Sequence, residues 1–429
     1  MLAAIFTARA VVAGTALDDP NWVGTAPKNI SQSETEQVSH PAIAIGPSGL
    51  MIAAWSDEPS EGSTKDNIYV VSSSDSGSSW TSPTVVSETT TTSQLPDVLI
   101  VDNKTFVAWA EREAGNVFKI YETETGSGNV HPIPISEPDT SSDWSTRPSI
   151  VASSDRLHIV FNAGDDSSHI LYASRLWESS GWYTATRIYT STTDKLSWFP
   201  KIAIGPKGKK IHVVWEEQEK FGDVRAVMHI NGTIEGPDGT WQDPITLSEI
   251  TTTAVKPDLA IGPDGDVHVV WGEVVESERS YSYVRYRRYE ASTDSWTSSM
   301  RIDPNPVYVN EVDPTDTAPR LALYEDGHRV SICVVWHGDR DTEQTAEEVL
   351  VSCSQDEGES WSSPQNLSRT PSDVSESDDI SIWPSITFDS LGTLHSVWKQ
   401  RVDSATSQYE IYYSHELSQV FLPLVLRKG

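Results

Sequence analysis

The chain of 429 residues is short of cysteine (two), of methionine (four) and of basic charge, with 31 Lys and Arg against 62 Asp and Glu. Each scarcity excludes something. Two cysteines cannot staple a disulfide scaffold, so stability must come from a buried core. A formal charge of 31 − 62 = −31 repels polyanions, which argues against nucleic acid and anionic membrane surfaces as partners. No apolar run is long enough to span a bilayer. There is no phosphate loop, no Gly-x-Ser-x-Gly elbow and no His-Glu-x-x-His zinc helix.

What the chain does have is one phrase repeated seven times. Pro-x-(Ile/Leu)-x, a short turn and an apolar run ending in an aromatic start at Pro41, Pro96, Pro148, Pro200, Pro257, Pro319 and Pro384. PAIAIGPSGLMIAAW and PDLAIGPDGDVHVVW are two copies. Units of this length, built from short apolar runs, are the mark of a propeller, because one small sheet must stack on its neighbours to bury both faces. Each unit parses into four strands. The second ends at Trp55, Trp109, Phe161, Trp215, Trp271, Trp336 and Trp398. The third alternates, as in NIYVVSSS, and the fourth follows a tryptophan, as in WTSPTVVS.

Six fourth strands lie between successive phrases, and a seventh candidate, Ala26 to Ser31, precedes the first. The last unit stops at its third strand, Tyr409 to His415. The reading is therefore an all-β, seven-bladed propeller in which the N-terminal strand completes the final blade and removes the open edges. Residues 1–16, apolar and ending in small side chains, read as a signal peptide or its remnant. Residues 17–418 form the propeller, and 419–429 form an apolar tail, a sorting signal, a packed strap or a self-association strand. Cys333 and Cys353 fall on adjacent strands of one unit, as a cross-strand disulfide or two buried thiols.

Two stretches share Ser-x-Asp-x-Gly-x-Ser-Trp: Ser73, Asp75, Gly77 and Trp80, then Ser354, Asp356, Gly358 and Trp361. This resembles the Asp-box, or BNR repeat, of sialidase-like propellers. With decayed copies at Ser179 to Trp182, Gly236 to Trp241 and Ser292 to Trp296, the resemblance runs from about Ala26 to His415. It implies that the boxes are structural: the Asp carboxylate accepts backbone N–H groups, Gly takes positive φ, and Trp is buried between blades. It also implies an active site on the opposite face. The chain departs from the sialidase pattern. The segment before Ser73 has only Arg9, Arg147-Pro148 belongs to the repeat phrase, and the blades number seven rather than six. Sialidase activity is therefore not expected.

On the face opposite the boxes, spacing places Asp57, Glu111, Glu217 and Glu273 two residues past strand-two aromatics. Such carboxylates could supply the pair that glycoside hydrolysis needs, or be ordinary loop residues of an acidic chain. The residues before each phrase include His40, Arg147, Lys256 and Trp383, which with Asp57 are ligand-binding candidates. His158, His212, His268 and His395 recur three residues before an aromatic, a packing or inter-blade position rather than a metal site. No cofactor is expected; Asp264-Gly265-Asp266 is the one hint of structural calcium. The expected function is recognition of a glycan or protein by a secreted or cell-surface protein. The alternatives are a glycoside hydrolase or lyase using rim carboxylates, and a structural envelope component. The longest loops into a strand-one phrase, Asp303 to Ala318 and Ser368 to Trp383, place the site near blades six, seven and one.

Overall fold

Period-two runs rich in Val, Ile and Trp, broken by Gly-Pro and Ser-Asp turns, have few options other than short antiparallel strands. The computed structural model describes residues 24–416 apart from short loop segments, the longest being 135–146, 309–316 and 374–381. The described residues are all-β and form seven blades. Blade 3 shows the plan: Ser149–Ala152 innermost, then Arg156–Ala163, His169–Leu176 and Thr186–Thr190. Inner strands of neighbouring blades pack side by side around the ring, blade 7 returning to blade 1.

Closure follows the reading from strand counting. Blade 7 consists of Ser385–Phe388, Leu394–Arg401 and Tyr409–His415, and its outer strand is Lys28–Asn29 from the N-terminal end of the chain. Lys28 pairs Tyr413 and Asn29 pairs Tyr412. The Thr25 and Ile30 N–H groups extend the join to the His415 and Ile411 carbonyls, each at 2.8–2.9 Å. The proposed leader at 1–16, the tail at 419–429 with its self-association, and most of the two long loops lie outside the described residues.

The seven strand-two aromatics are all buried, none more than 1% exposed, and each sits in an apolar cluster shared with its neighbours. Such large side chains between sheets each bury a large apolar area and help hold the ring. Cys333 and Cys353 pair directly across two strands of blade 6 and are joined as a disulfide.

The Ser-x-Asp-x-Gly turns bond as their chemistry requires. Asp75 Oδ1 accepts the Ser79 N–H at 2.8 Å, and Ser73 Oγ accepts the Gly77 N–H at 3.0 Å. Asp356 and Ser354 repeat this with Ser360 and Gly358. The hydrogen bonds from Ser79 lower the Asp75 carboxyl to about 2. Gly77 has φ +81, and a Cβ there would overlap the Tyr413 hydroxyl of blade 7, so glycine is required twice over. One expectation needs correcting: Trp80 and Trp361 are half-buried rather than buried. Each still bridges blades edge-on, Trp80 against Tyr413 at 5.0 Å and Trp361 against Tyr286 at 5.1 Å.

The recurrent histidines belong to the same joints. His158, His268 and His395 hydrogen-bond the strand-three tyrosines Tyr172, Tyr286 and Tyr413 at 2.7–2.8 Å. His212 meets His229 at 3.0 Å in the equivalent place. Tyr413 and Tyr286 then donate to the Ser76 and Glu357 carbonyls in the next blade's turn.

Candidate functional site

On the other face, the residue before six of the seven inner-strand prolines, all but Arg147, takes a backbone conformation that L-residues avoid. His40, Leu95, Phe199, Lys256, Ala318 and Trp383 have φ between +35 and +60, although none is glycine. In blades 1, 2, 4 and 5 the strand pairing slips at this dipeptide, as between Ser39 and Ala42 or between Trp198 and Lys201. A bulge re-aims side chains, and left-handed backbone at a bulky residue costs roughly 1–3 kcal/mol, so its recurrence at one ring of positions marks a built feature.

The result is a cavity of about 330 Å³ on the propeller axis, walled by inner-strand starts from all seven blades. Trp383 lines it, 7% exposed. Phe199 lies parallel to it, 5.9 Å between centroids, and His40 tilts against it at 5.2 Å. The Arg147 guanidinium is 4.2 Å from the Phe199 ring and 4.6 Å from that of Trp383, and Lys256 Nζ is 4.4 Å from Trp383. Arg320 reaches the same indole at 5.9 Å. Burial, and then the field of Arg147, Lys399, Lys256 and Arg320, holds His40 well below its ordinary range.

Four of the five ligand candidates from the sequence, His40, Arg147, Lys256 and Trp383, are thus brought together. The fifth, Asp57, bonds the Thr35 hydroxyl instead, and burial raises its carboxyl. Its counterparts are engaged in the same manner. Glu111 accepts from Thr91 at 2.6 Å and from the Trp109 indole at 3.1 Å. Glu217 binds Lys195 at 2.6 Å and the Tyr189 hydroxyl. Glu273 takes both arms of Arg285 at 2.8–2.9 Å. Asp57, Glu111 and Glu217 tie the segment entering a blade's inner strand onto that blade, which is why one position repeats a carboxylate.

Sequence reasoning passed over Lys201 and Arg320. The signal was available one residue past each proline, where the row reads Ala42, Asp97, Ser149, Lys201, Asp258, Arg320 and Ser385. Three of these cross to the next blade: Asp97, Asp258 and Ser385 accept the N–H groups of Ile150, Leu321 and Ile43 at 2.9, 3.0 and 3.4 Å. On the far face, Asp264, Asp266 and Glu357 gather within 4.8 Å. Arg288 donates to Asp266 at 2.6 Å and to Glu357 at 2.7 Å.

No protein-family model matches the chain, and no curated protein matches its sequence. Solved structures do match its shape. A PL25 polysaccharide lyase, an ulvan lyase solved with a GlcA-containing saccharide bound, superposes with a TM-score of 0.56 at 12% identity over 91% of this chain and 93% of its own. A Dyadobacter fermentans protein of unknown function gives 0.57 at 11% identity over 92% and 98%. The NanB sialidase of Streptococcus pneumoniae gives 0.49 at 10% identity over 92% and 70%. At these identities the likeness to the lyase is one of fold.

Proposed function

We propose that this protein is a glycan-recognition propeller whose ligand seat is the mouth of the central channel. One observation carries the reading: the parallel Trp383 and Phe199 rings, with Arg147 and Lys256 over them, form the wall of an axial cavity. Aromatic faces with a few convergent polar groups are the ordinary lining of a small-ligand pocket. The two Ser-x-Asp-x-Gly-x-Ser-Trp turns support membership of the BNR/Asp-box group. The Cys333–Cys353 disulfide supports secretion to the cell surface or matrix. A glycan array run with the full chain tests the reading. Saccharide binding is expected in the parent and lost in Trp383→Ala; retention in that variant moves the seat elsewhere.

A second reading, glycoside hydrolysis or elimination through rim carboxylates, draws on Asp57, whose burial favours the protonated acid. The bonds that engage Asp57, Glu111, Glu217 and Glu273 speak for recognition instead. A panel of chromogenic glycosides decides: turnover abolished by Asp57→Asn would establish the enzyme.

A further inference from the structure

The histidines of this chain divide by where they are held. His158, His268 and His395 spend a ring nitrogen on a strand-three tyrosine, and His212 spends one on His229. Among the described residues, His40 is the only imidazole on the wall of the channel mouth. Its Nδ1 is anchored on the Ser39 hydroxyl at 3.0 Å, and its ring leans on the Trp383 indole at 5.2 Å. Positive φ and the slip in strand pairing between Ser39 and Ala42 turn the residue out of the sheet register. That leaves Nε2. Among the described residues it has no hydrogen-bond partner, and it is not closed off inside the protein.

The carboxylates of the wall are already engaged. Asp97 spends both oxygens on the Val98 and Ile150 N–H groups, and Asp258 accepts from Leu321 at 3.0 Å. Burial and the charges of Arg147, Lys399, Lys256 and Arg320 keep the His40 ring neutral. A neutral imidazole carries one N–H and one lone pair, so whichever of the two Ser39 takes, Nε2 offers the other. A hydroxyl donates or accepts and pairs with either tautomer; a carboxylate or sulfate, accepting only, pairs with one.

We infer that His40 Nε2 is the group of the channel mouth that reads a hydroxyl of the ligand, holding a neutral sugar unit whose C–H face packs on the proline rings of the wall. The inference rests on the glycan reading and names the chemistry of the sugar in the seat. Six of the inner-strand prolines line the wall and have no N–H to offer, so apolar contact covers the unit and one polar reader orients it. The cavity lies at the small end of ligand pockets, roughly 300–1,000 Å³, so it seats one sugar unit while the remainder lies across the face.

Calorimetric titration of the full chain tests this with neutral pentose and hexose oligosaccharides and a uronate oligosaccharide of comparable length. A neutral saccharide should bind, and one of its deoxy analogues should bind about tenfold more weakly, the cost of a hydrogen bond left unmade. His40→Phe keeps a ring against Trp383 and removes both nitrogens. It should lose about tenfold toward the intact saccharide and nothing toward that deoxy analogue, because the contact removed is the same one. His40→Gln, which keeps a donor and an acceptor, should recover part. Equal losses toward saccharide and analogue would mean that His40 acts only by packing, and would overturn the inference. If the phenylalanine variant fails to fold, the deoxy series on the parent and the NMR shifts of the His40 ring nitrogens carry the test. Those shifts should move on binding; unmoved shifts overturn the reader. Binding lost in Trp383→Ala but unchanged in His40→Phe overturns it too and leaves glycan recognition standing. So does a uronate saccharide preferred by the parent and His40→Phe alike. No saccharide bound by the parent overturns both.

Discussion

The two faces of this propeller use the inner and outer strands in opposite ways. On the face of the Ser-x-Asp-x-Gly turns, equivalent positions carry the same chemistry in blade after blade: a buried histidine, a tyrosine or second histidine, then the neighbour's tryptophan edge-on. Trp80 on Tyr413, Trp241 on Tyr172, Trp296 on His229 and Trp361 on Tyr286 all have centroids 5.0–5.2 Å apart at 69–74°. At the channel mouth six of the seven equivalent positions share a backbone conformation and almost nothing else: histidine, leucine, phenylalanine, lysine, alanine and tryptophan all stand at positive φ. Sameness under a repeat signals a packing solution. Variety on a repeated, strained backbone signals a surface adjusted to something outside the fold.

The sharpest way to break the comparison is to remove the core on which both faces depend. Trp398, fully buried, should cost about 3–5 kcal/mol on replacement by alanine, read as a fall in denaturation midpoint with unchanged slope. A cost near zero would mean that the blades do not rely on their strand-two aromatics.

Acid should weigh most on the turn face, which among the described residues holds four depressed histidines against His40 alone at the mouth. Burial lowers His158, His212, His268 and His395 to about 4, against an ordinary 6.5. As pH falls through this window the unfolded chain takes up protons that the folded histidines refuse. Stability is therefore full above about pH 6.5 and declines toward pH 4. Melting temperatures across that range should fall steeply, and less so in His158→Gln. A flat profile in the parent would contradict the buried histidine joints.

Trp80→Ala should cost less than Trp398→Ala, about 1–3 kcal/mol, because its ring is half-buried. Trp383→Ala should cost less still, about 1–2 kcal/mol, because its ring already borders a cavity, while ligand binding is lost. A larger stability loss at Trp383 than at Trp80 would make the mouth a structural plug. The smallest effect is none at all: a fluorogenic sialoside should release no sialic acid, and release abolished by mutating a rim carboxylate would reverse that.

The architecture was legible because periodicity is a property of the chain. Seven prolines, seven aromatics and six internal fourth strands admit one ring and one closure, and blade 7 takes Lys28–Asn29 accordingly. The histidine joints were legible for the same reason. The channel mouth was legible only in outline. Spacing named His40, Arg147, Lys256 and Trp383 as residues of one face, but not that they meet. Four rim carboxylates, by the same spacing, looked as eligible for chemistry until each was found holding a nearby segment.

The sequence by itself determined the number of blades, their order, their closure and the turns that need glycine, since local pattern and turn chemistry specify these without reference to distant residues. Only the tertiary structure decided that cations from blades 3, 5 and 6 share one indole, because closing the ring brings Arg147, Lys256 and Arg320 onto a common axis from positions far apart in the chain. Charge summed along the sequence is blind to that convergence. A chain of net charge −31 can still bring three cations to one indole when the starts of its inner strands meet at the axis.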